Sequence, residues 1–204
     1  MKRTKNIFKI TAILTAAIFL LSCSPTENAS QSNSQLIVLS IEGKDYKGTT
    51  ADYLQSDVIA GTTIYADPAT ANLTVKLINP APVSLLGTSQ YNAITVKRYT
   101  VTYLLPSDPD NPDYRLSVPG VDTPYSFEGT MTIMIDVDAT AAISFIIVRE
   151  VAKAEPPLLG LYDIGGEGVL EVKARVDFYG QDMVGNWVEA TGFLTIFFTN
   201  YADE

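Results

Sequence analysis

The chain has no histidine and only one cysteine, and both absences limit its chemistry. Without histidine, the usual Ser-His-Asp and Cys-His forms of nucleophilic catalysis are excluded. Zinc sites built from histidine and cysteine are excluded for the same reason. A single cysteine cannot form a disulfide within the chain, so the packing of a core must hold the fold together. The two common phosphate-binding motifs, G-x-x-x-x-G-K-[ST] and G-x-G-x-x-G, are also missing.

Basic residues are scarce relative to acidic ones. The 204 residues include 14 Lys or Arg and 23 Asp or Glu, which gives a net charge of −9 at pH 7. Nucleic-acid affinity depends on Lys and Arg at phosphates, and anionic headgroups repel a negative surface. We therefore expect no nucleic-acid partner and no attachment to a membrane through a basic patch.

The first 21 residues have the composition of a secretory signal. Residues 1–9 carry four basic side chains and no acid, and residues 10–21 are apolar apart from two threonines. A basic segment followed by a short apolar segment is the order found in signal peptides. The apolar run is shorter than the roughly 20 residues that a membrane-spanning helix needs. The sequence therefore predicts export.

The only cysteine, Cys23, ends this segment. The letters L-L-S-C at residues 20–23 resemble the lipobox of bacterial lipoproteins. The resemblance implies cleavage before Cys23 and acyl chains, palmitate among them, on its sulfur and amine. It also implies an outer-membrane location, because Ser24 stands where an Asp would favour inner-membrane retention. The alternative for Cys23 is a buried free thiol.

Three segments follow from these observations. Residues 1–22 form the predicted signal peptide, and its removal changes the net charge from −9 to −13, because it carries four basic residues and no acid. Residues 23–35 hold the lipidated cysteine and a polar stretch without hydrophobic periodicity, which is typical of a flexible tether. Residues 36–204 form one predicted domain.

That domain is predicted to be all-β. In residues 170–179 apolar and polar side chains alternate strictly, which indicates a strand with one buried and one exposed face. Turn signals, among them Asp67-Pro68, separate the strands, and no long helical period occurs. The pattern predicts an antiparallel β-sandwich of seven or eight strands. The further predicted strands are 36–42, 58–66, 73–79, 98–105, 130–137, 143–151 and 193–200.

The clearest local prediction is a β-hairpin over residues 177–198. Its turn is predicted at 181–186, and Trp187 is expected to open the second strand. The alternation places Phe178 in the core and Asp177 and Tyr179 on the outer face. Gly192 interrupts the apolar pattern, which indicates either a bulge or a close approach of another chain segment.

The D-x-x-G-N letters at residues 182–186 of this hairpin resemble the final hairpin of bacterial immunoglobulin-like domains. Residues 92–103 and 118–129 add to a resemblance to small bacterial envelope lipoproteins of unassigned function. The resemblance implies an immunoglobulin-like, fibronectin III-like sandwich that acts as a non-enzymatic binding or spacer module, with an envelope protein or a glycan as its partner. The Cys…Trp…Cys pattern of antibody domains is missing.

A cluster of oxygen-bearing side chains at residues 107–115 is a candidate calcium site. Calcium takes six to eight oxygen ligands, which closely spaced acids can supply. A solvated loop of turn residues is the alternative that we prefer, because two prolines stiffen the segment and the glycine of an EF-hand loop is missing. We therefore expect no cofactor, with calcium as the open alternative. The candidate ligands are Asp108, Asp110, Asn111 and Asp113.

Trp187, the only tryptophan, is a candidate sugar-binding residue, because together with Tyr179 it would offer an aromatic platform. An ordinary cross-strand aromatic contact is the simpler interpretation. A pair of carboxylates would suffice for glycoside hydrolysis, but 23 acids make chance pairs common. A carbohydrate-binding module and a glycan-active enzyme of this kind are thus the alternatives to a non-enzymatic binding module, and we predict no catalytic residue.

Overall fold

The structure of the protein, a computed structural model, describes residues 32–60, 62–78, 90–106, 117–162 and 168–201. In these ranges the chain is almost entirely β, with one short helix, α1 (Glu150–Lys153), and two 3₁₀ segments, Gln90–Asn92 and Leu158–Leu161. No helix of the described ranges is long and apolar enough to cross a membrane. The strands are β1 (Ser34–Lys44), β2 (Thr50–Ala51), β3 (Tyr53–Asp57), β4 (Asp67–Leu77), β5 (Ile94–Leu104), β6 (Phe127–Ile135), β7 (Thr140–Val148), β8 (Leu170–Asp182) and β9 (Trp187–Thr199).

The strands form two sheets that share one core, so the predicted all-β, two-sheet architecture is confirmed. One sheet has the order β2-β1-β4-β7 and the other the order β3-β9-β8-β5-β6. Neighbouring strands are antiparallel except for β3, which runs parallel to β9 at the edge of the larger sheet. Side chains of both sheets contribute to a single hydrophobic cluster, as expected when each strand buries alternate residues.

An aromatic cluster lies in the middle of this core. The Tyr99 ring lies 5.0 Å from Phe145 and 6.5 Å from Phe178, and the rings of Phe145 and Phe178 meet edge to face at 5.5 Å. The Tyr99 hydroxyl donates to the carbonyl oxygen of Ile146 at 3.0 Å, and the Tyr103 hydroxyl donates to that of Ile147 at 2.7 Å. These bonds join the two sheets and satisfy polar groups whose burial unpaired would be costly.

The hairpin of β8 and β9 confirms the strongest sequence prediction. The strands pair without a register shift from Leu170 to Gln181, and Trp187 is the first residue of β9. The turn occupies residues 183–186, and Gly185 has a φ of +97°. Asp182 Oδ1 accepts the backbone N–H groups of Val184 at 3.0 Å and Asn186 at 2.8 Å. Burial alone would raise the pKa of Asp182, but the bonds from Asn186 and Val184 lower it below its usual value.

Gly192 in β9 is a point of close approach between the sheets. A Cβ atom at this position would lie 2.7 Å from Val38 Cγ1 and 2.8 Å from Ile41 Cδ1 of the facing strand β1. The pairing of β8 and β9 shows no irregularity there, so the bulge that the sequence also allowed is wrong. Glycine lets β1 and β9 pack directly on one another.

Asp177 differs from the sequence prediction. It lies between the core residues Val176 and Phe178, so the alternation puts it on the outer face, yet it is only 6% exposed. Its Oδ1 accepts the Thr191 hydroxyl at 2.6 Å and the Arg175 Nε–H at 3.0 Å. Asp177 thus shares the predicted outer face with Arg175 and Thr191, and only its low exposure differs from the prediction.

The predicted strand at 58–66 is wrong. Its neighbour β3 ends at Asp57, and Ala60 and Thr63 then exchange two backbone hydrogen bonds of 2.9 and 3.0 Å, which reverse the chain. The predicted turn at Asp67-Pro68 is wrong too, because both residues belong to β4, where the pairing with β7 shifts register. A proline at the start of a strand and beside such a shift removes no regular ladder bond.

The strand count is also higher than predicted, with nine strands in the described ranges instead of seven or eight. The additional strands, β2 and β3, are only two and five residues long and lie between β1 and β4. Two residues are too few to display a period of two, and β3 shows no alternation of apolar and polar residues because its two buried side chains are Leu54 and Ser56. The first strand, β1, begins at Ser34, two residues before the predicted start at residue 36.

Candidate functional site

A cleft of about 420 Å³ opens where the segment between β1 and β2, strand β3, the start of β4 and the chain after β9 meet. Its volume lies within the range of roughly 300–1,000 Å³ that is usual for small-molecule sites. Few of its lining residues are aliphatic. The lining comprises Lys44, Asp45, Tyr46, Lys47, Gly48, Leu54, Gln55, Asp57, Asp67, Pro68 and Tyr201.

One wall is the turn at residues 45–49, which a single aspartate organises. Asp45 Oδ1 accepts the backbone N–H groups of Lys47 at 2.9 Å and Thr49 at 2.7 Å. The Asp45 N–H donates to the Thr49 carbonyl oxygen at 2.9 Å, and Gly48 adopts a φ of +82°. An aspartate that binds amides further along the chain, followed by a glycine with positive φ, is a common way to fix a turn. The turn therefore holds Tyr46 in a defined position.

Tyr46 and Tyr201 form the aromatic part of the cleft. Their rings are nearly parallel, with an interplanar angle of 10° and centroids 5.8 Å apart. Gln55 lines the cleft beside them, and its Oε1 accepts the Tyr46 N–H at 3.1 Å. Burial raises the pKa of Tyr201, and the neighbouring Gln55 side chain opposes that rise. The Tyr201 N–H donates to Asp57 Oδ1 at 3.3 Å. Tyr46 remains 55% exposed, so the pair is both fixed and accessible.

Lysine cations stand at the rim. Lys47 Nζ lies 5.2 Å from the centroid of the Tyr46 ring, and a hydrogen bond with the Tyr46 side chain raises the pKa of Lys47. Lys44 also lines the cleft. An ammonium group above an aromatic face is an attractive arrangement, although a modest one at an exposed position.

A buried ion pair between Lys153 and Asp67 lies behind the cleft. Lys153, in α1, is only 1% exposed, and its Nζ lies 3.1 Å from Oδ1 and 2.9 Å from Oδ2 of Asp67. Nζ also donates to the Asp57 carbonyl oxygen at 2.6 Å, while the Ser56 hydroxyl donates to Asp67 Oδ2 at 2.6 Å. Burial raises the pKa of Asp67, and the attraction of Lys153 and the bond from Ser56 oppose that rise. The ion pair fixes α1 to β3 and β4.

The three aspartates that line the cleft all make structural bonds, and Asp45 binds the amides of its own turn. Asp67 binds Lys153 and Ser56, and Asp57 Oδ1 accepts the N–H groups of Ile59 and Tyr201, both at 3.3 Å. A general acid or base must be within reach of a substrate proton, and groups held in this way suit orientation better than proton transfer.

A second hollow of about 380 Å³ adjoins the cleft, because Gln55 and Tyr201 line both. Its other walls include Tyr53 and Phe197, whose rings meet edge to face with centroids 6.0 Å apart. Val169 and Thr199 complete the lining. Aromatic side chains therefore continue from the cleft along the outside of β3 and β9.

The sequence-predicted sugar residue lies elsewhere. Trp187 is 64% exposed at the start of β9, opposite Gln181, whereas Tyr201 follows the end of the same 13-residue strand. At about 3.4 Å per residue the two ends are roughly 40 Å apart. Tyr179, the expected partner of Trp187, instead has the guanidinium of Arg98 at 4.1 Å from its ring centroid.

Cys23 and the calcium candidates Asp108, Asp110, Asn111 and Asp113 lie outside the described residues. Within the described ranges, no group of three or more His, Cys, Asp or Glu is placed to hold a metal ion. The chain matches no protein-family model and no curated protein.

Sequence reasoning did not find the residues of the cleft. Tyr46, Gln55 and Tyr201 are far apart along the chain and belong to no common motif. The letters D-Y-K-G at 45–48 carry a local signal, since Asp and Gly at that spacing are typical of a turn. That signal predicts the turn but not the tyrosine at the far end of the chain that stacks on it.

Proposed function

We propose that this protein is a lipid-anchored protein of the bacterial cell envelope whose domain is a non-enzymatic binding module of immunoglobulin-like type. The observation that carries the proposal is the order of residues 1–23, in which a basic segment, an apolar segment and L-L-S-C follow one another. Diacylated or triacylated proteins stay on membranes stably, whereas a single chain binds only marginally. The acidic composition gives no electrostatic help, so the lipid on Cys23 is the anchor.

The strand order supports the immunoglobulin-like assignment. In such sandwiches strands A, B and E belong to one sheet and strands C, F and G to the other. The present chain has β1, β4 and β7 in one sheet and β5, β8 and β9 in the other, in the same chain order. Strand β6 extends the second sheet beside β5, as strand C′ does. Tyr99 on β5 occupies the strand on which antibody domains carry their core tryptophan.

The cleft beside Tyr46 and Tyr201 supports binding rather than catalysis. Its three aspartates, Asp45, Asp57 and Asp67, are held by backbone amides, a hydroxyl and a buried lysine. No histidine is present anywhere in the sequence. A glycan-active enzyme with a carboxylate pair is the competing proposal. The release of soluble fragments from any envelope polymer by the pure protein would support that enzyme and contradict a binding module.

Mass spectrometry of the mature N-terminus tests the anchor. The full-length gene is expressed in a bacterium with two membranes, with Cys23→Ala as the matched control. We expect the wild-type chain to begin at an acylated Cys23, to incorporate labelled palmitate and to fractionate with the outer membrane. An unmodified Cys23 or an intact Met1 in the wild-type protein would contradict the proposal.

A further inference from the structure

We propose that the cleft between Tyr46 and Tyr201 is a saccharide-binding site for an uncharged glycan. This inference rests on the proposed function of the domain as a binding module and names the ligand class of its site. It assigns recognition to side chains at the C-terminal end of β9 and the β1–β2 turn, and not to Trp187.

Tyr46 and Tyr201 form the aromatic wall of the cleft. Their rings are stacked, parallel within 10° and with centroids 5.8 Å apart, and Tyr46 is 55% exposed, so the stack offers a planar ring to a ligand. Sugar rings carry C–H groups on one face, and these fit the electron-rich face of an aromatic ring. The Tyr46 N–H donates to Gln55 Oε1 at 3.1 Å and the Tyr201 N–H donates to Asp57 Oδ1 at 3.3 Å, so the backbone that carries each ring is fixed before a ligand binds.

The charges around the cleft are balanced. The cleft and the lysine directly behind it contain three cations and three anions, whereas the whole chain has a net charge of −9. The positive and negative charges are closely spaced and equal in number. Since complementary potentials select the partner, such a surface suits a ligand with many hydroxyls and no net charge. The cations are Lys44, Lys47 and Lys153, and the anions are Asp45, Asp57 and Asp67.

The space beside the cleft does not suit an added peptide strand. An extended peptide binds by adding to an exposed sheet edge, and β3 is an edge strand of the larger sheet. However, β1 packs against β3, because a Cβ on Gly43 would lie 2.5 Å from the Tyr53 carbonyl oxygen and 2.8 Å from Leu54 Cβ. That close approach leaves little room for an added strand beside Tyr53 and Leu54.

Affinity electrophoresis of the full-length mature protein in detergent tests the proposal. Native gels contain one soluble polysaccharide each: starch, dextran, xylan, galactomannan or mixed-linkage β-glucan as uncharged probes, and alginate or polygalacturonate as anionic ones. We expect at least one uncharged polysaccharide to retard the protein. An oligosaccharide of that polymer then gives a Kd by calorimetry. We expect Tyr46→Ala and Tyr201→Ala each to raise the Kd about tenfold or more, as central aromatic contacts commonly do.

Tyr46→Phe keeps the ring and is expected to retain most of the affinity. Trp187 is a similarly exposed aromatic residue far from the cleft, so Trp187→Ala is expected to leave the Kd unchanged. Circular dichroism melts check that each variant is folded. Retardation only by the anionic polymers, no retardation in any gel, or loss of binding in Trp187→Ala but not in Tyr46→Ala would overturn the inference. The lipid anchor is tested separately by the mass of the N-terminus, so either proposal can fail alone.

Discussion

Replacement of the buried Lys153 by methionine is the sharpest test of how the cleft is supported. Methionine has a similar length and no charge, so Lys153→Met keeps most of the volume and removes the ammonium group. Asp67 then loses its contacts of 2.9 and 3.1 Å, and the Asp57 carbonyl oxygen loses a donor at 2.6 Å. Only the Ser56 hydroxyl still donates to Asp67.

The expected loss is about 3 kcal/mol. Breaking a fully buried ion pair by removing one partner typically costs about 3–5 kcal/mol. The side chain of Asp67 is 18% exposed and the bond from Ser56 remains, so the lower end of that range applies here. For a chain of this length, about 1 kcal/mol corresponds to roughly 2–4 °C in Tm. The variant should therefore melt roughly 6–12 °C below the wild type at neutral pH.

The loss should also depend on pH, with a definite sign. Burial already raises the pKa of Asp67, and Lys153 opposes that rise, so Lys153→Met raises this pKa further. A group whose pKa is higher in the folded state than in the unfolded state favours folding at low pH and loses that contribution as pH rises through its folded value. Protonated Asp67 needs no cation, so the destabilisation should be largest near pH 8 and smaller near pH 5.

Thermal melts followed by far-ultraviolet circular dichroism at pH 5 and pH 8 measure both effects. The matched control is Lys76→Met, because Lys76 and Asp138 also form a pair at 2.8 Å, but both side chains are more than half exposed. An exposed pair contributes about 1 kcal/mol or less. If Lys153→Met melted within 2 °C of Lys76→Met, or if its loss were the same at both pH values, the reasoning about the buried pair would be wrong.

Three further predictions concern the larger sheet. Gly180→Ala should cost about 2–3 kcal/mol in unfolding experiments, because a Cβ on Gly180 in β8 would lie 2.7 Å from the rigid backbone oxygen of Thr95 in β5. Gly192→Ala should cost less, because a Cβ on Gly192 in β9 would meet only side-chain atoms of β1, which can move. Equal losses would contradict this reading. Gly185→Ala should cost about 1 kcal/mol through its φ of +97° alone, with Gly185→Asn milder, and an Ala variant as stable as wild type would refute the turn. Asp182→Asn should make Tm fall less steeply below about pH 4. The pKa of Asp182 is lowered in the folded state, so the wild type loses stability as pH falls through that folded-state pKa and the variant does not. An unchanged dependence of Tm on pH would contradict this role of Asp182.

Local patterns predicted the parts of this fold that depend on local geometry. Strict alternation in β8 placed Val176 and Phe178 in the core, and both are fully buried. The letters D-x-x-G-N placed a turn before Trp187, because aspartate can bind turn amides and glycine tolerates a positive φ. A period of two and a turn motif are both properties of neighbouring residues, so one sequence is sufficient to show them.

The errors have the opposite origin. Residues 58–66 are apolar enough for a strand, but a segment becomes a strand only if another strand pairs with it. Strand β9 pairs with residues 53–57 instead. Asp67-Pro68 has the composition of a turn, yet β7 offers a register shift that accommodates it within β4. Lys153 was the subject of no sequence prediction: lysine is almost never fully buried unless it is paired, and its partner Asp67 is distant along the chain.

The candidate site unites these non-local features. The stack of Tyr46 and Tyr201 depends on the turn at 45–49 and on Gln55 of β3. Asp67, behind the cleft, depends on Lys153 of α1. The residues that contact one another here are separated by nine or more positions along the chain, so no local motif reveals the contacts. Lys153 touches no solvent, yet its bonds to Asp57 and Asp67 fix two residues that line the cleft, and Asp57 in turn binds the Tyr201 N–H. If the cleft binds a glycan, Lys153→Met should therefore weaken that binding as well as the fold, whereas Lys76→Met should change neither.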